Sequence, residues 1–199
     1  MHRYQILIEY IGTNFVGWQI QSKGKSVQKL IQKNLSKILK QKVSLVGSGR
    51  TDSGVHAIEQ SAHFNCKEEI QNLDKFLKTI NHFVNNQGVS ILNIKKKNLS
   101  FHARFSAKQR IYKYIIFNRL SRPSIDKERG WHIIKKLNIN LMKKGAKKLL
   151  ETKDFSTFRS SSCNAKSPIR TLKSIKIKSI KGRIEIQFKS QSFLQQQVR

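Results

Sequence analysis

Asp52 is the residue from which chemistry is expected. It lies within Gly47-Ser48-Gly49-Arg50-Thr51-Asp52-Ser53-Gly54-Val55-His56-Ala57, two positions after Arg50, and no other acidic side chain occurs between Glu9 and Glu59. Three glycines punctuate the stretch, which predicts a tightly turned loop whose backbone a ligand can approach closely. A carboxylate beside a guanidinium stays ionised. A charged, positioned carboxylate can act as nucleophile or general base without a cofactor. The competing assignment is a turn-capping Asp that bonds its own backbone, and the loop residues alone leave both open.

Other chemistries are excluded on pattern. Glycosidase-type chemistry needs paired acids and two-metal cleavage needs a cluster of them; the only adjacent acids, Glu68-Glu69, head a helical pattern where the dipole accounts for them. A Gly-x-Ser-x-Gly elbow is absent. Lys23-Gly24-Lys25-Ser26 resembles the end of a phosphate-binding loop, but position 19, where that motif needs Gly, is Gln. Cys66 and Cys163 stand far apart and at no metal-ligand spacing, so a zinc deaminase site is excluded; both read as reduced thiols of a cytoplasmic protein. No metal or cofactor is expected.

The chain has 199 residues, room for one large or two small domains with a real core. Lys and Arg number 40 against 11 Asp and Glu, a formal net charge of +29. A rich Lys, Ile and Asn content reflects composition bias, but the scarcity of acids goes beyond it. A field of this sign attracts polyanions, RNA or DNA first and an anionic membrane surface second. No apolar run is long enough to span a bilayer, and the N-terminus enters a strand pattern directly, without a visible signal peptide.

The elements that must position Asp52 follow from periodicity. Residues 3–10 alternate as a strand, and Gly12-Thr13-Asn14 turns it. Trp18 reads as a core or rim anchor. Ser26 is an N-cap for an amphipathic helix carried by Val27, Leu30, Ile31, Leu35, Ile38 and Leu39. Residues 43–46 form a short strand into the glycine loop and residues 57–64 a strand leaving it. A second helix follows, with Ile70, Leu73, Leu77, Ile80 and Val84 on one face, then a strand over residues 89–94. This order is the ferredoxin-like one. Residues 101–107 connect the halves. Residues 110–118 form a strand, apolar or aromatic on both faces and therefore expected to be central and buried. Pro123 marks a loop, Ile139 to Leu150 a third helix, and residues 159–167 a polar surface loop. Residues 169–180 and 184–188 pair as a hairpin across Lys181-Gly182. Residues 193–199 are expected to begin a further helix, which leaves the second half without a closing helix and strand. The fold class is α+β: two ferredoxin-like (RRM-like) halves, 1–105 and 106–199, the second C-terminally incomplete.

Four ordered stretches carry a family resemblance. Gly49 to Ala57 looks like the active-site loop of the tRNA pseudouridine synthase A (TruA) family. Gly17-Trp18-Gln19-Ile20-Gln21, Phe101-His102-Ala103-Arg104-Phe105-Ser106-Ala107 with the Arg-x-Tyr-x-Tyr strand after it, and Phe193-Leu194 with Val198-Arg199 resemble its other segments in type and order. The resemblance implies a cofactor-free isomerase that converts uridine to pseudouridine in the tRNA anticodon stem-loop, at tRNA positions 38–40 in the family. It implies that Asp52 attacks the target nucleotide, at base or sugar, and that Tyr112 stacks on the target uracil, an aromatic platform for an extruded base. Arg199 is assigned to pairing with Asp52, and Arg50 and Arg104 to phosphate or flipped-base contacts. Tyr112 as plain core aromatic, Arg104 as a structural bridge and His56 as loop packing are the competing assignments. The family implies antiparallel sheets meeting at a central basic cleft, and a homodimer. Departures are Ile11 where the family has Asp, a Pro-less stretch over residues 80–86, and Gln196-Gln197 in place of His-Met. The chain is also shorter than the family norm.

A truncated, non-catalytic tRNA-binding protein is the second reading, since phosphate contacts give affinity irrespective of chemistry. A ribosomal-type basic protein is the third; it has no use for the glycine-loop Asp.

Overall fold

A computed structural model describes residues 1–199. The chain divides into two compact units, Met1–Ala107 and Lys108–Arg199.

In the first unit the element order is β1 (His2–Tyr10), α1 (Val27–Ile38), β2 (Leu45–Gly47), β3 (Ala57–Cys66), α2 (Leu73–Val84) and β4 (Val89–Lys97). The sheet order is β2-β3-β1-β4, with every neighbour antiparallel. β1 is central because its Tyr4, Ile6, Ile8 and Tyr10 all face the core and are buried. α1 starts where Ser26 Oγ accepts the Lys29 N–H, and Val27, Ile31 and Leu35 form its buried stripe. α2 starts three positions later than the apolar spacing suggests, after the Asn72 cap, whose side chain accepts from Lys75 N; Ile70 stays outside it and gives its N–H to Tyr4 Oη. Twenty buried residues, from both helices, all four strands, the 15–18 segment and Val43 just before β2, form one core. Trp18 belongs to it, as expected of an anchor.

In the second unit β5 (Arg110–Phe117), β6 (Trp131–His132), α3 (Ile139–Lys148), β7 (Glu151–Asp154), β8 (Ile169–Ile180) and β9 (Arg183–Ser190) make a five-stranded sheet in the order β6-β5-β9-β8-β7. Its pairs are antiparallel except β5–β6, which runs parallel over two residues on each strand. The Lys181-Gly182 hairpin forms as read: both residues take positive φ, 45° and 77°, as a tight right-twisted hairpin turn requires. Two expectations fail here, and two strands go unforeseen. β5 is not buried throughout; only Ile116 and Phe117 are, and Ile111 is exposed, because neighbouring elements cover one end of the strand only. Residues 193–199 form turns rather than a helix start: Gln196 adopts φ 63°, Gln197 N donates to Leu194 O and Arg199 N to Gln196 O. β6 and β7 carry no alternation that would announce them; β7 is exposed along its length and exists through its ladder to β8.

Candidate active site

The 47–57 loop is a β-hairpin connection that opens after its stem. Gly47 pairs with Ala62, Ser48 N donates to Ser61 O (2.8 Å), and Gln60 Nε2 donates to Gly49 O (2.6 Å). Asp52 therefore sits between two strands. Its main-chain carbonyl accepts the Val55 N–H at 3.2 Å, with Gly54 at φ 77°, and this closes a four-residue turn. The turn-capping assignment would use the carboxylate to bond this backbone. Instead the carbonyl closes the turn, and within its unit the half-buried Asp52 carboxylate accepts no hydrogen bond and enters no ion pair. Arg50 lies exposed on the same loop.

The segment after β1 braces this loop. Trp18 N donates to Thr51 O (3.0 Å), and the hydroxyls of Tyr10 and Thr51 lie 2.7 Å apart. Ser53 Oγ donates to Phe15 O (3.3 Å), as does Gly54 N (3.4 Å). His56 Nδ1 accepts the Gly12 N–H at 3.2 Å, which fits the loop-packing assignment of that histidine. The glycines here are there for close approach. A Cβ on Gly12 would stand 2.0 Å from Val55 O, and one on Gly17, at φ 114°, would stand 2.6 Å from Thr51 O. On the stem side a Cβ on Gly47 would strike the Trp18 indole at 2.6 Å. Sequence reasoning singled out Trp18 and the loop glycines but missed Tyr10 and Thr51. The available signal was a tyrosine at the buried end of a strand, whose hydroxyl needs a partner.

Arg104 lies exposed on a turn at residues 102–106, its guanidinium over the Phe105 ring at 5.6 Å. His102 Nδ1 accepts from the backbone N of Arg104 and of Phe105 (3.2 and 3.3 Å). Buried His63 anchors this turn through its Nδ1, which accepts the Ala103 N–H at 3.1 Å, and Arg3 donates to the carbonyls of Leu99 and Phe101. Burial first, then the charge of Arg3 and the neighbouring His102, lowers the His63 pKa to about 4.

In the second unit Tyr112 projects half-buried from β5, opposite Phe188 in register, with its ring edge-on to Phe193 at 5.0 Å. Leu194 is buried against Phe155 and Leu172, which seats the segment that carries exposed Arg199; Ser160 N donates to Gln195 O across it (3.1 Å). So Asp52 and Arg50 share one loop of the first unit, and Tyr112 and the Arg199 segment meet through Phe193 in the second. No group of three or more His, Cys, Asp or Glu side chains could hold a metal ion.

A sequence profile of the family described as tRNA pseudouridine synthase matches residues 6–106 and 146–199. The chain belongs to the tRNA pseudouridine synthase family. Among its relatives, the tRNA pseudouridine synthase A of Pelagibacter ubique is 80% identical over 199 residues, all of this chain and 81% of that protein. The proteins of the same name from Anaplasma phagocytophilum and Anaplasma marginale are 42% and 40% identical, each over 99% of this chain and about four-fifths of their own length. The profile of this isomerase family covers Arg50, Asp52, Arg104 and Arg199, and Tyr112 lies between its two matched stretches.

Proposed function

We propose that this chain isomerises uridine to pseudouridine in the anticodon stem-loop of tRNA, at tRNA positions 38–40, with Asp52 as the catalytic carboxylate. The observation that carries the assignment is a carboxylate with no structural employment of its own, held in a loop whose other residues are nearly all tied down. In the reaction the uracil detaches from its sugar, turns and rejoins through C5. The C5 hydrogen is released to solvent and N1 ends protonated, so the conversion is redox-neutral. It asks the protein for a nucleophile or base, a platform for the base and cations for the phosphates.

Each remaining residue has a role in this reading. Tyr112 supplies the aromatic face on which the extruded uracil stacks, where Phe193 already meets its edge. Arg50 and Arg104, both exposed, contact phosphate or the flipped base, and Arg199 pairs with Asp52. The formal charge of +29 supports a polyanionic substrate. The strand-helix-strand-strand-helix-strand order and β2-β3-β1-β4 sheet of the first unit support a ferredoxin-like half. The second half, 106–199, is read as its incomplete counterpart, with a basic cleft between the sheets and a cytoplasmic homodimer as the working form.

The test is tritium release from tRNA transcript labelled at uracil C5, with wild type beside Asp52→Asn. Release by the wild type alone is expected. Turnover by Asp52→Asn would sink the assignment. Release by neither, with salt-sensitive tRNA binding intact, would favour the non-catalytic RNA-binding reading.

A further inference from the structure

We infer that the hydroxyl pair of Tyr10 and Thr51 is a positioning device that sets the orientation of Asp52; the inference rests on the proposed catalytic role of that aspartate. Thr51 immediately precedes Asp52 and is gripped twice. Its carbonyl accepts the Trp18 N–H at 3.0 Å, and its Oγ1 lies 2.7 Å from Tyr10 Oη. Both grips come from stiff, buried partners. The Tyr10 and Trp18 side chains are each 2% exposed, their rings lie 6.2 Å apart, and Trp18 is lodged against Gly47 so closely that no Cβ fits there.

On the far side of Asp52, Ser53 Oγ and Gly54 N both donate to the carbonyl of buried Phe15. The carboxylate is thus flanked by residues tied to one segment, 10–18, whose Tyr10, Phe15 and Trp18 are part of the core. The Trp18 bond holds the main chain of Thr51 but leaves its side-chain torsion open. The Tyr10 hydroxyl closes that torsion, so the hydroxyl pair limits how the 51–52 backbone can rock. A catalytic group needs such support, because small displacements from the reacting geometry cost large factors in rate. A tyrosine serving only as core filler would be replaceable by phenylalanine at no kinetic cost.

The experiment is a double-mutant cycle read by steady-state tritium release from C5-labelled tRNA transcript, with thermal melts on each variant. Tyr10→Phe is expected to lower kcat by about 10- to 100-fold, with KM and the melting temperature little changed. Thr51→Val is expected to do the same, Thr51→Ser to recover the rate that Thr51→Val loses, and the double variant to be no slower than either single one. If Tyr10→Phe folds poorly, Thr51→Val and Thr51→Ser read the same pair from the loop side. Full kcat in Tyr10→Phe or Thr51→Val, or losses that multiply in the double variant, would overturn the inference while leaving Asp52 in place. Turnover by Asp52→Asn in the same assay would overturn the aspartate's role, and this inference with it.

Discussion

His63 shows how much one side chain can carry when it is buried without charge. It is 4% exposed, touches Phe101 and His102 edge-on, and offers Nδ1 to the Ala103 N–H, so its neutral form carries the proton on Nε2. Its pKa is lowered from 6.5 to about 4, by burial first and then by Arg3 and His102. Between those values the unfolded chain binds a proton that the folded chain does not, so stability rises with pH across the window and is lost as pH falls from 6.5 toward about 4. Protonation would also remove the acceptor that pins the turn bearing Arg104. Melting temperatures measured at about pH 7, 6 and 5 should therefore fall more steeply for the wild type than for His63→Gln, which keeps an acceptor and does not titrate. Parallel curves would show that this histidine is not the group responsible.

At the level of elements, the Asp52 loop is a hairpin connection stiffened by a second segment, and glycines decide how near the two come. Gly17 combines φ 114° with a virtual Cβ 2.6 Å from a backbone oxygen that cannot move aside without breaking the Trp18–Thr51 bond. Gly17→Ala should cost on the order of 1–3 kcal/mol and lower kcat together with the melting temperature. Gly145, in the interior of α3 with nothing within 4 Å of its virtual Cβ, is the contrast. Gly145→Ala should stabilise by about 0.5–1 kcal/mol and leave kcat unchanged. A paired measurement of melts and turnover separates the two; equal behaviour would remove the argument from close approach. Periodicity served the elements unevenly. Helices α1 and α2 and the strands of the first unit show in the sequence because their apolar stripes are buried. β6 and β7 do not, because they bury almost nothing and hold by backbone pairing alone.

At the level of the whole molecule, the two units differ in how much core they own. The first has twenty buried residues in one cluster, whereas the second's cluster is Phe155, Leu172 and Leu194, and α3 buries none of its residues. Apolar burial is the main favourable term in folding, so local stability should follow it. Native-state hydrogen exchange should find the amides of β1 and β3 opening only at the highest free energies, and those of α3 and the hairpin end of β8 exchanging well before them. Uniform protection across both units would contradict this. The positive charge is spread over both units. Its cost is self-repulsion, which the thinner core of the second unit has less burial to offset.

What the sequence determined by itself is what local pattern and chemistry encode. It determined the element order of the first unit, the Ser26 cap, the Lys181-Gly182 hairpin and the placement of a solitary aspartate between two strands. Each depends on residues within a turn or two of one another, or on a family motif read in order. Only the tertiary structure decided that the turn at Asp52 closes through its carbonyl and leaves the carboxylate uncommitted within its unit. It alone showed that Tyr10 reaches Thr51 across 41 positions, and that His63 anchors Ala103 across 40. It also decided that β5 is buried at one end only and that residues 193–199 turn rather than coil into a helix. Those outcomes depend on which distant groups meet and which surfaces are covered, and no periodicity along the chain records either.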